Sequence, residues 1–144
     1  MRITSPAFEH EGTIPFEYTC NGKDINPPLG IEEVPNVARS LALVVDDPDA
    51  PNGDWVHWVV FNISPETPEI AENSVPGEEA SNDFDRRSYG GPCPPSGTHR
   101  YFFRLYALDT ELDPEKVSGR HSLEKEMEGH IVARSELMGK YGKE

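Results

Sequence analysis

Two short segments hold most of the side chains that could do chemistry. The first, DDPDAPNGDWVHW at residues 46–58, places aspartates and prolines just ahead of His57. The second, GGPCPPSGTHRYFF at residues 90–103, places His99 and Tyr101 two positions apart. If the two segments meet, Asp47 can hold one imidazole in the tautomer or charge state that donates a hydrogen bond into a pocket. Such donors in a dry cleft predict a site for phosphate or carboxylate, and Gly91 permits close backbone approach.

These residues also have ordinary structural interpretations. An aspartate next to proline commonly accepts backbone N–H groups in a turn, and we expect this turn and scaffold role for Asp46 and Asp49. A histidine inside an apolar strand is commonly a core residue held by a backbone carbonyl, which is the alternative for His57. We predict that Asp47, at the end of an apolar run, lies at the rim of the site instead.

Three apolar segments predict the strands that must position these groups. Residues 40–46, 55–63 and 101–108 are rich in β-branched or aromatic side chains and are bounded by turn residues. Strict alternation places His99 and Tyr101 on one face of their strand. In the second strand both faces are apolar, which is typical of a central strand covered on both sides. Alternation there predicts one face formed by Trp55, His57, Val59, Phe61 and Ile63, and an opposite face formed by Val56, Trp58 and Val60.

The remaining chain predicts a mostly β protein with one or two short helices. A helix is expected from Ser122, as its N-cap, to Gly129, which ends it. Residues 131–141 alternate well enough for a final strand, with a helix as the alternative. Residues 64–98 are long and have little periodicity, so they are expected to be functional or disordered. We predict a β-sandwich or barrel in a single domain over residues 1–144.

Composition limits the partners and the location. The formal net charge is −13 and the sequence pI is about 4.7, which disfavours nucleic acid and anionic membranes. Apolar runs are far shorter than a bilayer span and no signal peptide is recognised, so a cytoplasmic location without stable membrane insertion is expected. Cys20 and Cys93 form no CxxC pair, which disfavours zinc. We expect free thiols, with a disulfide as the alternative.

The two segments that contain His57 and His99 resemble motifs of a known protein family. DPDAP followed by WVHW, and then GPCPPSGTHRYFFRLYALD, resemble the phosphatidylethanolamine-binding proteins, in particular the prokaryotic branch called Raf kinase inhibitor-like proteins. The resemblance covers essentially the whole chain, including SPAF at residues 5–8, PPL at 27–29 and MEGH at 127–130. It implies a β-sandwich with one surface pocket for phosphate-like groups and phospholipid head groups.

The resemblance also implies roles for particular positions. The pocket positions fall on Asp47, His57, Gly91, His99 and Tyr101, and the supporting positions on Asp49, Pro51, Trp55, Pro92 and Cys93. It implies a binding protein rather than an enzyme, without cofactor or metal. Members of the family inhibit serine proteases or modulate kinases, and prokaryotic relatives suggest a homodimer. Cys93 stands where animal members carry proline, and the extended C-terminal helix of eukaryotic members is lacking.

Two other classes of function remain open at this point. Two histidines and an aspartate could form a two-His-one-carboxylate iron site, although no HxD or HxE occurs around His57 or His99. A hydrolase is disfavoured because GxSxG is absent from the sequence and because Cys93 lies between two prolines. The other class is an interaction protein whose pocket is vestigial.

Overall fold

Eight strands and one α-helix are formed by residues 1–143, the part of the chain that the computed structural model describes. The strands are β1 Arg2–Thr4, β2 Leu29–Glu32, β3 Ser40–Asp47, β4 Trp55–Ile63, β5 Glu69–Ile70, β6 Glu78–Ala80, β7 Gly97–Leu108 and β8 Ile131–Lys143. The helix α1 spans Arg120–Met127, and short 3-10 turns lie at Phe16–Tyr18 and Pro114–Lys116. The predicted mostly β fold is confirmed.

The strands form two antiparallel sheets. The larger has the order β6-β4-β3-β7-β8, and the smaller has the order β1-β2-β5. One face of the large sheet packs on the small sheet through a core that includes Leu43, Trp58 and Phe103. Its other face is covered by α1 and the segment before it, through a second core that includes Val59 and Leu123. The prediction that β4 is covered on both faces is therefore confirmed.

Strict alternation along β4 proved wrong at two points. The pairs Val45–Trp58 and Asp46–Val56 leave His57 as an additional residue, and a second shift lies near Asn62, whose φ is +53°. Val56 consequently joins the core under the helix, while Ile63 joins the core between the sheets, with Trp58. A β-bulge changes the face of the residues that follow it, and apolar patterning alone does not locate bulges in a strand that is buried on both faces.

The other predicted elements were largely correct, with shifted boundaries. The helix begins two residues before Ser122, and the Ser122 hydroxyl accepts hydrogen bonds from the N–H groups of Ser118 and Gly119 rather than acting from the N-cap. Gly129, with φ of +79°, follows the helix as predicted. Residues 131–143 form a strand and not the alternative helix. The long segment 64–98 is ordered and contributes β5, β6 and the start of β7.

The expectation of free thiols is wrong. Cys20 and Cys93 form a disulfide, with their Cα atoms 5.4 Å apart and 73 residues apart in sequence. The chain path explains the pairing, because the loop around Cys20 lies against the Pro/Gly segment. The N–H of Cys20 donates to the carbonyl of Pro92, and the hydroxyl of Tyr89 donates to the carbonyl of Tyr18. Sequence spacing carries no information about this contact, since it depends on the packing of two distant loops.

Reduction of this disulfide should lower the free energy of unfolding by about 4 kcal/mol, because a closed loop of this length restricts the unfolded chain strongly. Urea unfolding with and without dithiothreitol measures the difference. The double variant Cys20→Ser/Cys93→Ser is the control, since its stability should not respond to the reductant. Equal stability of the oxidised and reduced protein would contradict the expectation.

Candidate functional site

A cavity of about 220 Å³ lies at one end of the large sheet, where β3 ends and where β4 and β7 begin. β3 is the central strand of the three and ends at Asp47, while β4 and β7 begin beside it in the antiparallel direction. The two segments that are rich in polar side chains are therefore brought together by strand order. The cavity is lined by Asp47, Ala50, Pro51, Trp55, His57, Phe84, Cys93, Pro95, His99 and Tyr101.

Asp47 and His99 form a buried pair in the cavity wall. Asp47 is 3% exposed and His99 is 8% exposed, and Asp47 Oδ2 lies 2.6 Å from His99 Nδ1. The other carboxylate oxygen of Asp47 accepts the N–H of Asp49 at 2.8 Å, within the turn that follows β3. A carboxylate that accepts at both oxygens is fixed in orientation, so the ring of His99 is fixed as well.

His57 is held by a different type of partner. Its Nδ1 lies 2.7 Å from the carbonyl oxygen of Gly90, and the N–H of Gly90 donates back to the carbonyl of His57. The bulge in β4 turns this side chain toward the face that Asp47 and Tyr101 share; its ring lies edge-on to Tyr101 at 5.3 Å. Burial lowers the pKa of His57, because an apolar surrounding disfavours the imidazolium.

Tyr101 brings an unpaired hydroxyl to the cavity. The side chain is completely buried, and its Oη has no hydrogen-bond partner among residues 1–143. The rings of His99 and Tyr101 stack at 6.5 Å, as expected for two residues on one face of β7. Burial, and then the nearby Asp47 carboxylate, raise the pKa of Tyr101, so the phenol keeps its proton. A buried hydroxyl without a partner costs free energy unless a ligand satisfies it.

Asp49 supports the turn beside the cavity and does not line it. Its carboxylate accepts three hydrogen bonds from Arg100, from the backbone N–H, Nε and Nη2, each at 2.9 Å. The hydrogen bonds from the Arg100 side chain are the main reason that the pKa of Asp49 falls to about 2. The pair fastens the turn after β3 to the start of β7, on the side opposite His99 and Tyr101.

Asp46, one residue earlier, lies on the other face of the sheet. It is completely buried, and it pairs with Arg104 of β7 at 3.1 Å and with Arg120 of α1 at 2.7 Å. Burial raises the pKa of Asp46, and the two guanidinium groups act against that shift. The scaffold role expected for Asp46 agrees with this position, although its partners are arginine side chains rather than turn N–H groups.

The structure brings together four of the five predicted anion ligands and leaves Gly91 outside the cavity lining. The N–H of Gly91 donates to Asp24 Oδ1 at 2.7 Å, and a Cβ at this position would lie 2.5 Å from the Tyr18 carbonyl oxygen. Glycine is thus required here because the backbone of Gly91 lies close to the loop of residues 18–24, and not because it approaches a ligand in the cavity. Of the supporting positions, Pro51, Trp55 and Cys93 line the cavity, whereas Asp49 and Pro92 do not.

Three lining residues were not predicted: Ala50, Phe84 and Pro95. Ala50 and Pro95 lie inside the two segments that were singled out, so proximity in sequence could have indicated them. Phe84 lies edge-on to both Trp55 and His57. It is placed by the buried Asn82, whose amide donates to the His57 carbonyl and whose oxygen accepts the Phe84 N–H. The sequence signal was weak, since Phe84 is a single apolar residue in a polar segment.

Two further observations bear on the type of site. Within residues 1–143, no group of three histidine, cysteine or carboxylate side chains is placed to share a metal ion. Nor does this part of the chain contain a helix that is both long and apolar enough to cross a bilayer.

Comparison with known proteins identifies the family. The family model described as phosphatidylethanolamine-binding protein matches residues 4–142. A UPF0098 protein of Methanothermobacter thermautotrophicus is 48% identical over 149 residues, which cover 98% of each chain. A UPF0098 protein of Chlamydia pneumoniae is 44% identical, with 99% of each chain covered.

Two solved structures share the fold. A putative phosphatidylethanolamine-binding protein homologue, CT736 of Chlamydia trachomatis, superposes with a TM-score of 0.96 at 42% identity, covering 99% of this chain and 97% of the other. YbcL of E. coli, described as a new member of the mammalian PEBP family, superposes with a TM-score of 0.90 at 27% identity. The match covers 99% of this chain and 98% of the YbcL chain. The chain belongs to the phosphatidylethanolamine-binding protein family, which confirms the resemblance of the sequence.

Replacing Arg100 by Gln should raise the pKa of the Asp49 carboxyl from about 2 toward the usual value near 3.9. The side-chain hydrogen bonds are lost, while the backbone N–H bond remains. Carbon-13 NMR titration of the carboxyl group measures the pKa. Because the folded-state pKa lies below the unfolded one, the pair stabilises the fold above about pH 4 and this contribution is lost as the pH falls toward 2.

The variant Arg2→Gln serves as the control, since Arg2 pairs with Glu32 on the other sheet and should leave Asp49 unchanged. An Asp49 pKa that stays near 2 in the Arg100 variant would mean that the guanidinium is not the cause.

Proposed function

We propose that this protein binds small phosphate-like anions in the cavity between β3, β4 and β7, without a catalytic step. The observation that carries the proposal is the buried, unpartnered hydroxyl of Tyr101 beside His57 and His99. The cavity is smaller than the roughly 300–1,000 Å³ typical of sites for drug-sized ligands, which suits a compact ligand. Aromatic and proline side chains around it keep the effective dielectric low, so each hydrogen bond to an anion is strong.

The ligand favoured by the charge of the protein is a soluble anion rather than an anionic bilayer. A net charge of −13 repels an anionic surface over its whole area, whereas a small anion has to overcome only the field at one cavity. Phosphorylated head groups fit the same chemistry when they are presented singly. The names of the related proteins, which mention phosphatidylethanolamine, support this class of ligand.

Regulation of a protein partner is the second part of the proposal. Inhibition of a serine protease or modulation of a kinase, and assembly as a homodimer, rest on what the family resemblance implies. An enzyme that uses Asp47, His57 and His99 remains the alternative, and no specific feature of the cavity favours it. Cys93 offers no thiol nucleophile while it is bonded to Cys20.

The cytoplasmic location is a prediction on which the disulfide bears directly. Disulfides persist mainly in oxidising compartments, and intracellular proteins of hyperthermophiles are the main exception. Mass spectrometry of the protein from cells lysed in acid with a thiol-blocking reagent measures the redox state of Cys20 and Cys93 in its natural compartment.

Replacing His99 by Ala should weaken phosphate binding by roughly 1–3 kcal/mol, the range for loss of a hydrogen bond that leaves a buried group unsatisfied. Isothermal titration calorimetry with inorganic phosphate measures the change. His130→Ala is a matched control, because His130 forms the same type of Nδ1–carboxylate pair with Asp109 at 2.8 Å, on an exposed part of the surface. Full phosphate affinity in the His99 variant would remove this imidazole from the site.

A further inference from the structure

The two imidazoles of the cavity have the same ring nitrogen engaged. Nδ1 of His57 contacts the Gly90 carbonyl at 2.7 Å, and Nδ1 of His99 contacts Asp47 Oδ2 at 2.6 Å. A carbonyl oxygen and an ionised carboxylate can only accept, so the hydrogen must be on Nδ1 in both rings. When the rings are neutral, each Nε2 is therefore a lone pair, an acceptor and not a donor.

Few side chains of the cavity can donate a hydrogen bond. Tyr101 has its unpaired hydroxyl, and Trp55, which is 39% exposed, has its indole N–H. Asp47 carries no proton to give, since both of its oxygens accept hydrogen bonds. The remaining lining side chains are alanine, proline and phenylalanine residues and the disulfide-bonded Cys93, whose backbone N–H lies near the Tyr101 hydroxyl. None of these donors is bonded to Nε2 of His57 or His99, so both lone pairs are left for a ligand that carries a proton.

The charged groups behind the cavity wall do not supply a free donor either. Asp49 and Arg100 are bound to each other on the outer face of β7. Asp46, behind the sheet, is bound to arginines of β7 and α1. Asp24, on the loop next to β4, accepts from the Gly91 N–H. These charged groups therefore leave both Nε2 lone pairs of the cavity without a donor.

We infer that the site selects anions that bring their own acidic proton, such as monohydrogen phosphate, over fully deprotonated anions of similar shape and charge, such as sulfate. This inference rests on the proposed function and specifies the ligand class of the same site. The P–O–H group of monohydrogen phosphate can donate to one imidazole Nε2. Sulfate has only lone pairs, so every imidazole that faces it must first take a proton from solvent.

The size of the preference follows from the cost of that proton. Burial lowers the pKa of His57 below the ordinary value of about 6.5, so placing a proton on this imidazole at pH 8 costs a factor of more than about 30 in affinity. Phosphate, by supplying one proton, avoids one such uptake. We therefore expect phosphate to bind at least about ten-fold more tightly than sulfate at pH 8. At pH 5.5 protonation costs less, and sulfate should bind several-fold more tightly than at pH 8.

The experiment is calorimetric titration of the intact protein with sodium phosphate and with sodium sulfate, at pH 8.0 and 5.5 and at constant ionic strength. At pH 8.0 both anions carry close to two negative charges, so charge alone does not separate them. Repeating each titration in buffers of different ionisation enthalpy counts the protons taken up. Sulfate should take up about one proton more than phosphate at pH 8.0, a result that needs no variant.

Two variants separate the imidazole lone pairs from general anion affinity. In His99→Ala the imidazole lone pair is removed, so sulfate no longer needs a proton at this position and the phosphate-to-sulfate ratio at pH 8.0 should fall several-fold. In Tyr101→Phe the lost hydroxyl served both anions alike, so both should weaken by a similar factor and the ratio should be kept.

The outcomes separate this inference from the proposed function. Equal affinity for the two anions at pH 8.0, a preference for sulfate, or a sulfate affinity that does not rise at pH 5.5 overturns the inference and leaves anion binding standing. Failure of both anions to bind at either pH overturns the proposed function and the inference together. Preference for phosphate at pH 8.0 with the extra proton taken up by sulfate supports both.

Discussion

The position of β3 between β4 and β7 is the constraint on which the whole site depends. Asp46 pairs with Val56 of β4 and with Phe102 of β7, so the end of β3 lies beside the first residues of both neighbouring strands. Side chains in strands alternate between faces, and a slip of one residue would turn Asp47 away from the cavity. The extra residue in β4 is equally necessary, because it turns His57 to the face that Asp47 occupies. Register and bulge together make a site from segments that are far apart in sequence.

Consecutive aspartates at the end of β3 serve the two faces of the sheet. Asp47 faces the cavity and orients His99, whereas Asp46 faces the helix and pairs with Arg104 and Arg120. A buried carboxylate is expensive to desolvate, and paired guanidinium groups offset that cost. The Asp46 cluster joins β3, β7 and α1 directly behind the cavity, while the Cys20–Cys93 disulfide fastens the loop in front. The cavity is thus held from both sides, which limits the rearrangement needed to receive a ligand.

The mostly β fold and most residues that line the candidate cavity could be predicted from the sequence, because the signals of β3, β4 and β7 are local. Apolar runs marked β3, β4 and β7, and histidine and tyrosine in alternation marked one face of β7. Three features could not be predicted for a physical reason: each depends on contacts between distant segments. The bulge at His57 leaves no trace in an apolar pattern, the disulfide depends on loop packing, and Gly91 turns its N–H to Asp24 instead of the cavity. The family resemblance supplied the position of Gly91 but not the direction of its backbone.

The acidic surface and the acceptor-rich cavity act in the same direction. A negative field raises the free energy of any bound anion and lowers that of any bound proton. Among oxyanions of one shape, the penalty is therefore least for the species that has fewer negative charges and more protons. The neutral imidazoles impose the same order at short range, because their free nitrogens accept hydrogen bonds. The net charge of −13 is consequently compatible with an anion site, provided that the ligand and the protons it needs arrive together.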